Sequence, residues 1–139
     1  AREYAITSPP AIIDDLLVTG ALVLDAWNVG VPAGVVRAFD LRSGALRWAW
    51  NPVAPGRPAL APDGTYVRGT TNVWSVMSVD PVLKRIYVPT GNSSPDYYGG
   101  QRQGHLDHYS SSIVALDAHT GAVVWQVPTV HHDIWDFDV

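Results

Sequence analysis

The sequence predicts an all-β chain folded as about two consecutive four-stranded antiparallel blades of a β-propeller, and three observations carry that prediction. A strand–turn–strand motif occurs twice, each copy follows a second hairpin ending in Thr-Gly, and almost no stretch has apolar residues at helical spacing. Eleven Pro and twelve Gly, with six Trp and six Tyr among 139 residues, point the same way.

The first element is the hairpin IIDDLLVTG, Ile12 to Gly20. The second is AFDLRSGALRW, Ala38 to Trp48, in which Asp and Gly bracket a turn and alternating apolar residues flank it. The third, VLKRIYVPTG from Val82 to Gly91, repeats the first hairpin. The fourth, ALDAHTGAVVW from Ala115 to Trp125, repeats the second at an offset of 77 residues. Each unit closes on a Trp placed to pack against its neighbour. The expected boundaries are about 6–50 and 74–127, with a third unit starting over 131–139. A repeat of only two units is also compatible with a β-sandwich.

Strand alternation has a geometric consequence. In an antiparallel unit A-B-C-D, the B–C loop and the D-to-A crossover lie at one end and the A–B and C–D turns at the other. The turns around Asp14-Asp15, Arg42-Ser43-Gly44 and Ala118-His119-Thr120 are short, whereas the B–C loops, Ala21 to Ala33 and Asn92 to Tyr109, are long. Long loops gathered at one end mark the functional face.

Composition narrows the classes. With 47% hydrophobic and 16% charged residues, a net charge of −4 and no block of like charge, the chain is globular and carries no nucleic-acid footprint. Cysteine is absent, which removes disulfides, thiolate metal sites and thiol nucleophiles. The most apolar stretch, Ile12 to Val36, is broken by Asp14, Asp15, Asp25 and Asn28, so it lacks the roughly 20 uninterrupted residues of a membrane helix. The opening AREYAITSPP has no signal-peptide character and the closing WDFDV no cap, which reads as a portion of a longer chain.

Four residues fall on the long-loop face: Asp25 and Asn92 in the B–C loops, Trp74 and Asp136 in the crossovers. Carboxylate and amide oxygens suit calcium or magnesium, an indole offers a flat surface to a planar ring, and a second carboxylate can act as general base. Singly, each has an ordinary alternative: Asp25 and Asn92 suit turns, Trp74 suits packing between units, and Asp136 suits the end of a strand. His131 and His132 are adjacent, and in a strand they would face opposite ways rather than converge on one ion. His105 and His108 read as solvated loop residues, and Ser110 to Ser112 lack the glycines of a nucleophile elbow.

The strings PTGNSSPDYYGGQR and YSSSIVALDAHTGAVVWQVPTVHHDIWDFD, with TSPP at Thr7 to Pro10 and GVVRAFDLRSGALRWAW at Gly34 to Trp50, resemble the PQQ-dependent glucose dehydrogenases of bacterial membranes over essentially the whole chain. That resemblance implies an eight-bladed propeller holding PQQ and a divalent cation, calcium or magnesium, near its axis. It assigns Asp136, the first Asp of the WD-x-D segment, as catalytic base beside the metal, and Asn92 of the TGN segment as a metal ligand. Trp74 in NVWSV matches the Trp that stacks beneath the quinone, and Asp25 in VLDAW looks like a metal or cofactor contact. The cationic residue that contacts the quinone oxygens falls beyond Val139, an active-site His before Ala1, and the membrane anchor outside the chain.

The implied activity is oxidation of glucose or a related sugar to its lactone, with electrons passed to ubiquinone at the periplasmic face of the bacterial inner membrane. Two of about eight blades leave inner edges unpaired, so the segment alone is expected to be inactive. The same cofactor serves relatives acting on polyols, quinate or alcohols, and the blade motifs alone would suffice for a non-catalytic interaction scaffold.

Overall fold

The computed structural model describes residues 3–26, 28–102 and 104–139. In chain order its strands are β1 (Tyr4–Ala5), β2 (Ala11–Ile13), β3 (Leu16–Thr19), β4 (Leu22–Val23), β5 (Val36–Asp40), β6 (Leu46–Trp50), β7 (Ser78–Asp80), β8 (Arg85–Pro89), β9 (Ser112–Asp117) and β10 (Val123–Pro128). Helix is scarce, as expected: a 3-10 turn over Gly99–Gln101 and the one-turn α1 (Gly104–Asp107).

Two four-stranded antiparallel sheets form in sequence order, β2-β3-β5-β6 and β7-β8-β9-β10. In the first unit the two expected hairpins are the four strands; in the second, the stretch Val82 to Gly91 holds only the turn and β8, and its partner strand β7 lies ahead of it at Ser78–Asp80. A small sheet pairing β1 with β4 was not expected from the sequence. Segment 131–139 takes no strand where a third unit was expected to begin.

The repeated turn has one cause. Asp40 Oδ1 accepts the backbone N–H groups of Arg42 (3.1 Å) and Ser43 (2.8 Å) and the Ser43 hydroxyl (2.8 Å), and Gly44 follows at φ +71. Asp117 Oδ1 accepts those of His119 and Thr120 (both 3.1 Å) and the Thr120 hydroxyl (3.0 Å), with Gly121 at φ +70. A short acceptor, a hydroxyl three residues on and a glycine in the left-handed region build the same turn twice.

Alternation along the strands buries one set of side chains. In β8 Ile86 and Val88 are buried while Arg85, Tyr87 and Pro89 are partly exposed. Ile13, Leu16, Val18, Val36, Ala38, Trp48 and Trp50 of the first unit join Ile86, Val88, Val114, Leu116 and Ala118 of the second in one core. Trp48 links the units directly. Its indole N–H donates to the Ala118 carbonyl at 2.8 Å, and its ring lies over Gly121, where a Cβ would meet Cε3 at 2.6 Å.

Register fixes where the loops emerge. Thr19 pairs with Arg37 and Val36 with Trp50; Pro89 pairs with Ile113 and Pro128 with Ser112. The ends of β3, β6, β8 and β10 and the starts of β5 and β9 thus share one rim, the arrangement that strand alternation required. Among the described residues, no helix is long and apolar enough to cross a membrane.

Candidate active site

A cavity of about 260 Å³ opens at this rim, lined by Leu22, Asp25, Trp74, Asp136 and Asp138. Three of the four residues singled out from sequence come together here: Asp25 from the first B–C loop, and Trp74 and Asp136 from the two crossovers. Trp74 follows Val73, which bridges to Ala21, and its carbonyl takes the Thr7 hydroxyl at 3.1 Å. Its side chain keeps part of its surface free, the residue being 37% exposed. Gly91 sits against it because there is no room for more: a Cβ would stand 3.0 Å from Asp138 Oδ1 and 3.2 Å from Trp74 Nε1.

Asn92, the fourth, lies behind the rim and is fully buried. Its Nδ2 donates to the carbonyls of Asp96 (3.1 Å) and Asp133 (3.2 Å), while its Oδ1 accepts Ser93 N–H (2.8 Å) and the Ser110 hydroxyl (2.9 Å). A metal contact through Oδ1 competes with those two donors.

The electrostatics join residues that the sequence did not single out. Burial raises the Asp25 carboxyl to about 6, with hydrogen bonds from the backbone and from Asn72 opposing and the charges of Asp136 and Asp138 adding to the rise. Asn72 Nδ2 donates directly to Asp25 Oδ2. Asp96 is raised to about 7, first by burial and then by Asp25, Asp136 and Asp138, against the pull of the Arg102 guanidinium. Asp138 is raised by burial and by Asp136, while hydrogen bonding from Trp74 and the Asn92 backbone opposes. Asp25, Asp96 and Asp138 are thus raised first by burial and then by the charges of neighbouring carboxylates, Asp136 among them.

Two residues frame this group. Burial raises Asp133, but the N–H groups of Trp135 (3.0 Å) and Phe137 (2.9 Å) and the Ser111 hydroxyl (2.8 Å) outweigh it and hold the carboxyl below its ordinary value. It thereby shapes the turn that carries Asp136 and Asp138, both at positive φ. Arg102, whose side chain is 2% exposed, donates to the carbonyls of Pro95 (2.9 Å), Asp96 and Asp133 and lies 3.5 Å from the Asp107 carboxylate. It ties the second B–C loop to the crossover bearing Asp136.

The histidines take other places. His105 stands in α1 and His108 immediately after it, rather than in irregular loop. His131 and His132 lie outside any strand, and with Asp107 and His108 they border a second cavity of about 220 Å³. His132 Nδ1 is 3.3 Å from Asp107 Oδ2. Ser110, Ser111 and Ser112 are buried in structural hydrogen bonds.

The donors fit the expected groups in kind. An indole face beside an oxygen-only set suits a planar quinone with a hard divalent cation, and an ion there relieves the repulsion among buried carboxylates. Among the described residues, the buried Oδ1 atoms of Asn72 and Asp96 have no hydrogen-bond partner. The ligand set is partial, since among the described residues no three His, Asp or Glu side chains are grouped closely enough to hold an ion.

Residues 1–139 match the family described as PQQ: glucose/ethanol/alcohol dehydrogenase, β-propeller domain. Quinate/shikimate dehydrogenase (quinone) of Acinetobacter baylyi is 41% identical over 140 residues, covering 100% of this chain and 17% of that protein. The glycerol dehydrogenase large subunit of Gluconobacter oxydans is 41% identical over 137 residues, 97% and 18% respectively. Quinoprotein glucose dehydrogenase of Escherichia coli is 39% identical over 137 residues, 98% and 17%. The chain thus spans less than a fifth of these relatives. The crystal structure of quinohemoprotein alcohol dehydrogenase from Comamonas testosteroni matches with a TM-score of 0.77 at 28% identity, over 97% of this chain and 22% of that one.

Proposed function

The chain belongs to the glucose/ethanol/alcohol dehydrogenase β-propeller family of PQQ proteins, and on that footing we propose that it forms two neighbouring blades of a PQQ-dependent dehydrogenase that oxidises glucose or a related sugar to its lactone. The observation that carries this reading is the convergence of Asp25, Trp74 and Asp136 on one cavity at the long-loop rim.

Each residue has work to do there. Trp74 offers its exposed indole face to the quinone ring. Asp136 would supply an oxygen to calcium or magnesium beside the cavity that Asp25 also lines, and Asn92 would join it by exchanging the Ser110 hydroxyl on its Oδ1 for the ion; the remaining ligands would come from outside these residues. Bound PQQ supplies the two-electron acceptor that takes hydride from the substrate carbon. Asp136 takes the proton of the hydroxyl being oxidised, so the substrate loses one proton and one hydride and becomes a carbonyl or lactone. Electrons leave for ubiquinone through other parts of the protein, which we assign to the periplasmic face of the bacterial inner membrane.

A second reading, in which the substrate is quinate or a polyol, is favoured by the slightly higher identity to the quinate and glycerol enzymes. A hydroxyl proton and a hydride leave the substrate in either case, and the assignments above are unchanged.

The test is Asp136→Asn in the full-length protein. PQQ uptake in calcium, followed by absorbance, should persist while turnover of glucose, quinate and glycerol falls about 100-fold or more. Undiminished turnover would remove the assigned base. A wild-type protein whose spectrum ignores PQQ and calcium would instead be an interaction scaffold.

A further inference from the structure

We propose that Tyr97 is the positioning residue of Asp136, holding one carboxylate oxygen so that the other faces the substrate hydroxyl; the inference rests on the reading of Asp136 as the base. The Tyr97 hydroxyl donates to Asp136 Oδ2 at 3.2 Å. Among the described residues it is the only side chain that hydrogen-bonds the Asp136 carboxylate.

The contact comes from a residue otherwise in solvent. Tyr97 is 63% exposed, so its ring gains little from burial and its place is set by the backbone beneath it and by the hydroxyl at its tip. That backbone is fixed. The carbonyl of Asp96 takes Asn92 Nδ2 and Arg102, and that of Pro95 takes Arg102. The same guanidinium and the same amide also hold the Asp133 carbonyl, so the base of Tyr97 and the turn bearing Asp136 are registered by two shared side chains.

The chemistry suits a fixed donor. Asp136 needs such a donor because it sits at φ +57 in a segment without strand pairing. A carboxylate held at one oxygen keeps the other aimed, whereas a free one rotates about its side-chain bonds.

The experiment compares Tyr97→Phe, Tyr98→Phe and Asp136→Asn, alone and as the Tyr97→Phe/Asp136→Asn pair, in the full-length protein loaded with PQQ and calcium. Tyr98 is the control, being the adjacent and equally exposed tyrosine. Tyr97→Phe should lower kcat about tenfold, the size of one hydrogen bond to an ionised group at a solvated rim, with KM within about twofold. The PQQ absorbance titration should be unchanged, Tyr98→Phe should match wild type, and Tyr97→Phe should cost nothing further when Asp136 is already Asn. Wild-type kcat in Tyr97→Phe, or an equal loss in both backgrounds, overturns the positioning role alone. Full turnover in Asp136→Asn overturns the base and this inference with it.

Discussion

The indole N–H of Trp48 donates to the Ala118 carbonyl across the boundary between the two sheets. The last strand of one unit is thereby latched to the last turn of the next, and the ring fills the place left by a side-chain-free Gly121. Trp125, its counterpart in the second unit, remains 43% exposed beside Tyr87.

Truncating the latch should therefore loosen the relation between units. Trp48→Ala should cost about 3–5 kcal/mol of stability and Trp48→Phe about half that, because Phe keeps most of the buried ring but leaves the Ala118 carbonyl unpaired. Urea unfolding of the full-length protein checks the order. Equal stability of all three proteins would mean that the latch holds nothing.

The pH dependence follows from Asp25 and Asp96, raised to about 6 and about 7. An unfolded Asp titrates near 3.9, so between about pH 4 and pH 7 the folded protein binds more protons than the unfolded one. Stability from these groups is complete below about pH 4 and is lost as pH rises through their folded values. Asp133 acts in the opposite sense and below that window, because its folded value is depressed. In EDTA, the melting temperature should fall between pH 5 and pH 8, and calcium should restore it more at pH 8, where the carboxylates are ionised. Asp96→Asn should flatten the EDTA profile. A melting temperature that rises over this interval and ignores both calcium and Asp96→Asn would show that burial and neighbouring charge do not raise Asp25 and Asp96.

What the sequence made legible is local chemistry. The Asp40 and Asp117 turns are written in residues no more than four apart, and strand alternation alone puts Asp25, Trp74 and Asp136 at one rim. What it concealed is non-local. Asn92 turns inward because Ser110 and the carbonyl of Asp133 wait for it, and a backbone carbonyl carries no side-chain signature. Asp138 stands two residues beyond Asp136 and would face the same way in a strand; only the observed turn, with both residues at positive φ, defines their neighbourhood. Asp96 resembles an ordinary turn residue until its burial is known. The β1–β4 pair is two residues long on each side, too short for a periodic signal.

Arg102 gives the sharpest separation of charge from geometry. Its guanidinium serves three carbonyls and faces the Asp107 carboxylate, with the side chain almost wholly enclosed. Lysine keeps the positive charge but presents one compact ammonium in place of the planar fork, so at least one of the Pro95, Asp96 and Asp133 carbonyls loses its partner. Arg102→Lys should cost about 2–4 kcal/mol and weaken calcium-dependent PQQ uptake, since the two segments flanking the cavity lose their common tie. Arg102→Gln removes the charge as well, so the repulsion felt by Asp96 is no longer opposed and its carboxyl should rise further. Denaturation and absorbance titration of the two variants in the full-length protein divide the effects: a Lys variant with wild-type stability and uptake would mean that charge alone, and not the fork, ties the loop to the crossover.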